Sequence, residues 1–583
     1  MAERRILVVV GLVSWVVVLL LPEIVASIGA SPAPAVAGWT DGRFGRLLLA
    51  TLMTLSILLV VRRVRPFLWL TLPFLVLAPL EAVYVLRYGE PSTTAVLAVV
   101  AETGAAEATE YLRSNVPALI VAPLVVAFAA AGLFLHARDL VIGNPVARKF
   151  ALFGLAGFVG VAVAFTQLPH QRAEAGVLDE DLWRTEGLLT PETSWLASVY
   201  PWGVPLRVAD YAVQRARTPL ALRQLGDFRF GAGLDVSVAP RNVVLVIGES
   251  ARADRFGING YPRPTTPTLS EDAGWISFTD AVSAAASTRS ALPFLLTRMR
   301  PGTQHFGPPP ERSIVSAFRE AGYRTWWLSN QQPSTLENSI AFFAGEAGES
   351  TFVNRGSFTD RGAYDGELLA PLDAALRQPA SRRFVVLHTL GSHWHYQRRY
   401  PQAFEVFTPA SGDGVASTAR HPDSIDAIRN AYDNSIVYTD WLLGEVASRL
   451  RVSGEDSAIL YVSDHGETLY EGRCALFGHG IPSAANFHVP LFVWLSPSLA
   501  SRRPELGDAL RANAHSPVTA ESVFPTLAQI GGLVLTDAKA EVSLAANPIT
   551  HRPRLVSRDA REWRDYDRDL PGADCARTVA ATK

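Results

Sequence analysis

A chain of 583 residues, 49% of them hydrophobic, with a positive mean hydropathy, is long enough for more than one domain and apolar enough for a membrane-inserted part. A formal net charge of −2 gives no footing for nucleic-acid binding. Two cysteines, Cys474 and Cys575, exclude a disulfide scaffold and a thiolate zinc site, and leave room for one bridge at most.

The apolar runs stand at the front. Ile6 to Ala26, Leu47 to Val61, Phe67 to Leu86, Pro117 to Leu135 and Phe150 to Leu168 each approach the roughly 20 residues that cross a bilayer as a helix. This predicts a transmembrane domain of five helices over residues 1–168. The unbroken stretch Ile6 to Leu21 is long for the core of a signal peptide, so the first helix is expected to be retained. If the spans alternate, Arg4, Arg5, Arg62, Arg63, Arg65, Arg138, Arg148 and Lys149 share one side, against Arg43, Arg46, Arg87 and Arg113 on the other. The positive-inside rule then puts the N-terminus in the cytoplasm and everything after Leu168 outside.

Between the third and fourth runs, Thr93 to Tyr111 is helix-prone and sets Thr103 and Glu107 on one face. Residues 169–240, with Trp183, Trp195, Tyr200, Pro201 and Trp202, suit an interfacial linker. From Arg241 the pattern changes to an α/β domain over residues 241–560, followed by a charged, peripheral tail at 561–583. Strands are expected at Val243 to Ile247, Thr325 to Leu328, Phe384 to His388, Ala458 to Val462 and Val489 to Leu495; Ser313 to Ala321, Asp360 to Arg377 and Ser424 to Leu450 suit helices.

The chemistry lies at strand ends. Asn242-Val-Val-Leu-Val-Ile-Gly-Glu-Ser-Ala251 is a buried run that stops at a glycine and delivers Glu249, and Ala458 to Glu467 repeats the logic with Asp464 and His465. A Glu, an Asp and a His side by side, without thiolate, suit zinc or manganese in a catalytic site with an open position. Seven of the twelve histidines fall between His388 and His488, which weighs against unrelated turn carboxylates. A nucleophile is offered by Ser283 to Pro293, where Ser287, Thr288 and Ser290 are equally placed as hydroxyls before a helix.

Gly248 to Arg263, Ser287-Thr-Arg-Ser-Ala-Leu-Pro293, Trp327-Leu-Ser-Asn-Gln331, Gly391-Ser-His393, Ser463-Asp-His-Gly-Glu467 and Gly478-His-Gly480 together resemble the phosphoethanolamine transferases. These are membrane-bound members of the alkaline phosphatase and sulfatase superfamily. The resemblance implies five spans and a periplasmic sulfatase-like α/β domain on the bacterial inner membrane. It implies zinc held by Glu249, Thr288, Asp464 and His465, with Thr288 carrying a phosphoethanolamine intermediate. It further implies phosphate contacts from His393 and His479, a pocket role for His388, and headgroup contacts from Thr103 and Glu107. The implied reaction moves phosphoethanolamine from phosphatidylethanolamine to a lipopolysaccharide acceptor, core heptose or lipid A.

Lipid A-modifying members carry a disulfide beside the nucleophile where this chain has Ala284 and Phe294, and Val99 stands where the family often has Asn. The missing disulfide and the Trp-Leu-Ser-Asn-Gln stretch look more like members that decorate lipopolysaccharide core heptose than those acting on lipid A. A sulfatase or phosphodiesterase, or a phosphoglycerol transferase, would share the fold. Ser287 to Leu292 lacks the Cys- or Ser-x-Pro-x-Arg motif of formylglycine sulfatases. The complete metal set argues against a non-catalytic membrane sensor.

Overall fold

In the computed structural model, the run Asn242–Gly248 is a strand buried at every position, and a sheet is assembled around it. The structure describes residues 2–28, 43–88, 91–92, 97, 141–167, 199–209, 211–212, 225–302, 309, 311–331, 339–354, 364–410, 422–471, 477–481, 483–536, 542–547, 549, 552–558 and 563–570. The expected span at Pro117 to Leu135, together with Val99, Thr103, Glu107, Cys474 and Cys575, lies outside these. The chain divides into two compact units, passing from one to the other at residues 216–217.

In the N-terminal unit, α1 (Ala2–Leu19) and α2 (Leu21–Ile28) meet at 59°. Pro22, second in α2, withholds the N–H that would continue α1, and its ring crowds the preceding turn. α3 (Arg43–Val61) and α4 (Val64–Tyr88) contain Phe44–Val61 and Val64–Val85, two stretches long and apolar enough to cross a membrane. The bent α1–α2 pair makes a third if it is one span. α5 (Pro145–Gln167) covers the fifth expected run. Among the described residues, then, two or three spans meet the length and composition of a membrane helix, against the five expected.

Polar ties hold this unit together. Trp15 Nε1 donates to Thr71 Oγ1 at 2.9 Å, joining α1 to α4. Within the stretch expected to be an interfacial linker, the Tyr200 N–H donates to Glu23 Oε1 at 2.7 Å and Trp202 Nε1 to Thr54 Oγ1 at 3.1 Å. The Tyr200 hydroxyl reaches the Phe74 carbonyl. Arg207 Nη1 donates to Glu81 Oε1 at 3.0 Å, a charge pair removed from water.

The second unit is built on seven strands: β1 (Asn242–Gly248), β2 (Trp275–Phe278), β3 (Arg324–Ser329), β4 (Glu349–Phe352), β5 (Arg383–His388), β6 (Ser457–Ser463) and β7 (Leu491–Leu495). Their spatial order is β2-β7-β6-β1-β5-β3-β4. β6, β1, β5, β3 and β4 are parallel, and β7 is antiparallel to both its neighbours. Parallel strands are covered on both faces, so they need apolar residues at successive positions. Accordingly Val243, Leu245 and Ile247 enter one core, and Val244 and Val246 the other. α6 (Thr288–Leu296), α7 (Ile314–Glu320) and α10 (Val523–Ile530) supply the first core; α8 (Leu369–Arg377) and α9 (Pro422–Val452) supply the second.

β1 sits between β5 on one side and β6 on the other, and α9 carries the chain from β5 across to β6. Open α/β sheets bind ligands beyond the C-terminal strand ends at such a divergence. The register fixes who meets there: Ile247 lies opposite both His388 and Val462, and Gly248 opposite Ser463. Residues 563–570, expected in a peripheral tail, pack onto this unit. Trp563 sets its ring edge on Phe294, Leu570 is buried, and Arg554 bonds Asp280 and Asp567. Two apolar side chains and an ion-pair bridge outweigh the local charge.

Candidate active site

The first half of the site follows from one glycine. A Cβ at Gly248 would stand 2.5 Å from the Tyr461 hydroxyl, so a side chain here would collide with the buried Tyr461 ring. Past it the chain turns sharply, with Ser250 at φ +57°. The Asp464 N–H donates to the Gly248 carbonyl at 3.0 Å, and the Ala251 N–H to Ser463 Oγ at 2.8 Å. These bonds hold the two strand ends as one piece.

Glu249, Asp464 and His465 therefore converge, all buried, with a ligand atom from each within 4.8 Å of the others. His465 Nε2 is 3.2 Å from Glu249 Oε1 and 3.6 Å from Asp464 Oδ2. His465 Nδ1 lies 2.9 Å from the Gly466 carbonyl, which can only accept, so this nitrogen carries the hydrogen and Nε2 faces the carboxylates. Thr288, the first residue of α6, donates from Oγ1 to Glu249 Oε2 at 2.9 Å and stands 3.3 Å from His465 Nε2. Of the three candidate hydroxyls only this one is bonded to the cluster; Ser287 and Ser290 bond each other at 3.3 Å.

The cluster suits a cation. Asp464 Oδ1 accepts the N–H groups of His465 at 2.7 Å and Ser250 at 3.2 Å, but Oδ2 is buried without a hydrogen-bond partner. Burial, with the charge of Glu249 added, pushes the Asp464 carboxyl up to about 7. Burial pushes Glu249 the same way, yet the hydrogen bond and charge of His465, backed by His393 and His479, hold it well below the usual carboxylate range. Burial would lower His465, but Asp464 and Glu249 raise it to about 10. The shifts record two carboxylates crowded together in a buried place, which a cation would offset, and carboxylate oxygens with a neutral imidazole nitrogen are donors that match zinc.

His393 and His479 stand half-buried beside the cluster. The His479 ring centroid is 4.8 Å from that of His465 and 5.8 Å from that of His393. Glu467, fully buried, brings Oε2 to 3.4 Å from His479 Nδ1. His388 behaves differently. It ends β5 fully buried, its ring edge-on to Trp327 at 5.6 Å, with neither ring nitrogen hydrogen-bonded. Burial lowers it to about 4, which keeps it neutral.

Three residues that shape the site received no role from sequence. Gln331 donates from Nε2 to Glu249 Oε2 at 3.1 Å. Asp365, buried, accepts from Asn330 Nδ2 at 2.8 Å and from the N–H groups of Leu390 at 2.8 Å and Gly391 at 2.9 Å, joining the loops after β3 and β5. Glu467 is the third. The available signal was position: Gln331 stands two residues past Ser329, which pairs with His388 in the parallel register.

Comparison with known proteins identifies the family and the fold. The sulfatase family pattern matches residues 241–533, half of the chain. The phosphoethanolamine transferase CptA of Salmonella typhimurium is 28% identical over 487 residues, 80% of either chain. Among solved structures, the periplasmic domain of Escherichia coli EptC in complex with zinc matches with a TM-score of 0.53 at 23% identity, covering 60% of this chain and 98% of that one. The integral membrane lipooligosaccharide phosphoethanolamine transferase A of Neisseria meningitidis matches with a TM-score of 0.64 at 19% identity, covering 90% and 95%. The chain thus belongs to the sulfatase family, as an enzyme on the branch whose curated relatives are named phosphoethanolamine transferases.

Proposed function

We propose that the protein transfers phosphoethanolamine from phosphatidylethanolamine to a lipopolysaccharide acceptor, core heptose or lipid A, through a phosphothreonine at Thr288. The observation that carries this reading is the Thr288 hydroxyl seated on Glu249 at 2.9 Å, within a cluster of cation donors. Glu249, Asp464, His465 and Thr288 are the residues that would hold zinc, the metal with which the Escherichia coli EptC periplasmic domain was solved. Bound there, zinc supplies Lewis acidity, making a hydroxyl more acidic and offsetting phosphoryl charge.

The chain's own groups account for the rest. Thr288 Oγ1 forms the bond to phosphorus as its hydroxyl proton is lost, and the bond from phosphorus to the glycerol oxygen breaks, that oxygen taking up a proton to leave as diacylglycerol. Thr288 opens α6, whose N-terminal dipole favours the negative charge gathering there. His393 and His479 face the phosphoryl oxygens as donors. An acceptor hydroxyl then displaces Thr288, and two displacements give overall retention at phosphorus. Apolar N-terminal helices suit an enzyme whose donor is a membrane lipid, with the catalytic unit periplasmic and Thr103 and Glu107 near the headgroup.

The test supplies phosphatidylethanolamine in detergent without acceptor. Diacylglycerol release and a phosphoethanolamine adduct on the Thr288 peptide, discharged by added lipopolysaccharide, are expected. Rapid release of free phosphoethanolamine into water would instead indicate a hydrolase, and an adduct formed only from phosphatidylglycerol a phosphoglycerol transferase.

A further inference from the structure

We infer that Gln331 is a positioning residue for Glu249, fixing the carboxylate in the orientation that serves both the cation and the Thr288 hydroxyl. The inference rests on the proposed zinc-dependent reading and adds a residue to it.

Glu249 is almost wholly buried, and its two oxygens are approached from four directions. Oε1 receives the Ser250 hydroxyl at 3.0 Å and faces His465 Nε2 at 3.2 Å; Oε2 receives Thr288 Oγ1 at 2.9 Å and Gln331 Nε2 at 3.1 Å. The last torsion of a glutamate is broad and nearly two-fold, so nothing intrinsic to the side chain sets the plane of its carboxylate. Its neighbours must. Of these, His465 and Thr288 belong to the proposed ligand set and will readjust around a metal. Ser250 and Gln331 remain as fixed donors, one on each oxygen.

The orientation of the Gln331 amide follows from its surroundings. Its nitrogen lies 3.1 Å from Glu249 Oε2 and 3.0 Å from the Thr389 carbonyl. Both are acceptors, so turning the amide over would set its oxygen against two oxygens. The residue is also anchored in the backbone, its own N–H donating to Ser329 Oγ at 3.0 Å. Thr389, which takes the second amide hydrogen, is itself tied to the Ile247 carbonyl at 3.0 Å. Next door, Asn330 is fastened to Asp365. The donor therefore comes from a rigid strand end, which is what an outer partner needs to orient a ligand.

The experiment uses the full-length protein in detergent. Gln331→Met removes the donor at similar size; Gln331→Asn keeps an amide but withdraws it by one methylene, so the pair remains informative if one variant folds poorly. Zinc affinity is read by chelator competition, and kcat and KM with phosphatidylethanolamine. Both variants should hold zinc about 10- to 100-fold more weakly and lose kcat, with KM for the lipid unchanged. Wild-type zinc affinity in both variants overturns the inference, as does a raised KM at unchanged kcat, which would make Gln331 a substrate contact. A wild-type protein that does not bind zinc would instead remove the metal reading on which the inference rests.

Discussion

Thr288 and Glu249, 39 residues apart in sequence, are joined by a hydrogen bond of 2.9 Å from the hydroxyl to Oε2. One end is set by the start of α6 and the other by the end of β1, so neither element alone makes the site. Thr288→Ala should therefore abolish transfer, by at least about 10³-fold, while most zinc stays bound to the remaining ligands. Thr288→Ser should keep part of the activity, because the hydroxyl survives. Turnover and metal content measured on the same preparations check both; an adduct on Ser287 or Ser290 would move the nucleophile.

Asp464 presents the one unbonded carboxylate oxygen in the cluster. Asp464→Ala should lower zinc affinity by more than about 100-fold, beyond what loss of an outer partner costs, and activity should fall with it. Treating the wild type with a chelator should give the same inactive state, restored by added zinc. Full metal occupancy in the alanine variant would show that the ligand set is wrong.

Gly391 sits at φ +49°, and a Cβ there would lie 2.8 Å from both the backbone nitrogen and oxygen of Glu249. Backbone atoms cannot step aside as a flexible side chain can. Gly391→Ala should cost about 1–3 kcal/mol of stability and displace Glu249. Thermal melting and zinc affinity should therefore fall together, and an alanine variant with wild-type values for both would contradict this account.

His388 is neutral and buried, its pKa lowered from 6.5 to about 4. The unfolded chain binds a proton here before the folded one does, so stability is complete above pH 6.5 and drains away as pH falls toward 4. The difference amounts to about 3 kcal/mol at most. In His388→Met, unfolding midpoints at pH 7.5 and pH 4.5 should lie closer together than in the wild type. Equal acid sensitivity in the two proteins would count against a neutral buried imidazole.

The parallel strands were legible because burial on both faces forces continuous apolar runs, as in Val243 to Ile247 and Ala458 to Val462. Asp464 and His465 could be read because a glycine and a turn follow such a run. β4 could not: Glu349-Ser-Thr-Phe352 is a short edge strand, partly exposed, whose polar residues carry no sheet signature. Physical reasoning left Ser287, Thr288 and Ser290 level; the resemblance pointed to Thr288, and in the structure it is the one bonded to Glu249. Gln331 and Asp365 escaped notice since each acts through contacts 25 to 82 residues away, which no local spacing encodes.

The segment at Tyr200 to Arg207 bears on how the protein can be dissected. It follows the last apolar helix in sequence, yet its polar groups are satisfied by Glu23, Thr54, Phe74 and Glu81. A truncation beginning just after α5 would carry this segment into water, with Tyr200, Trp202 and Arg207 severed from every one of those partners. The sound place to cut is downstream, at the passage between units near residue 217: a fragment starting there takes the whole seven-stranded sheet and leaves Tyr200, Trp202 and Arg207 behind with their partners.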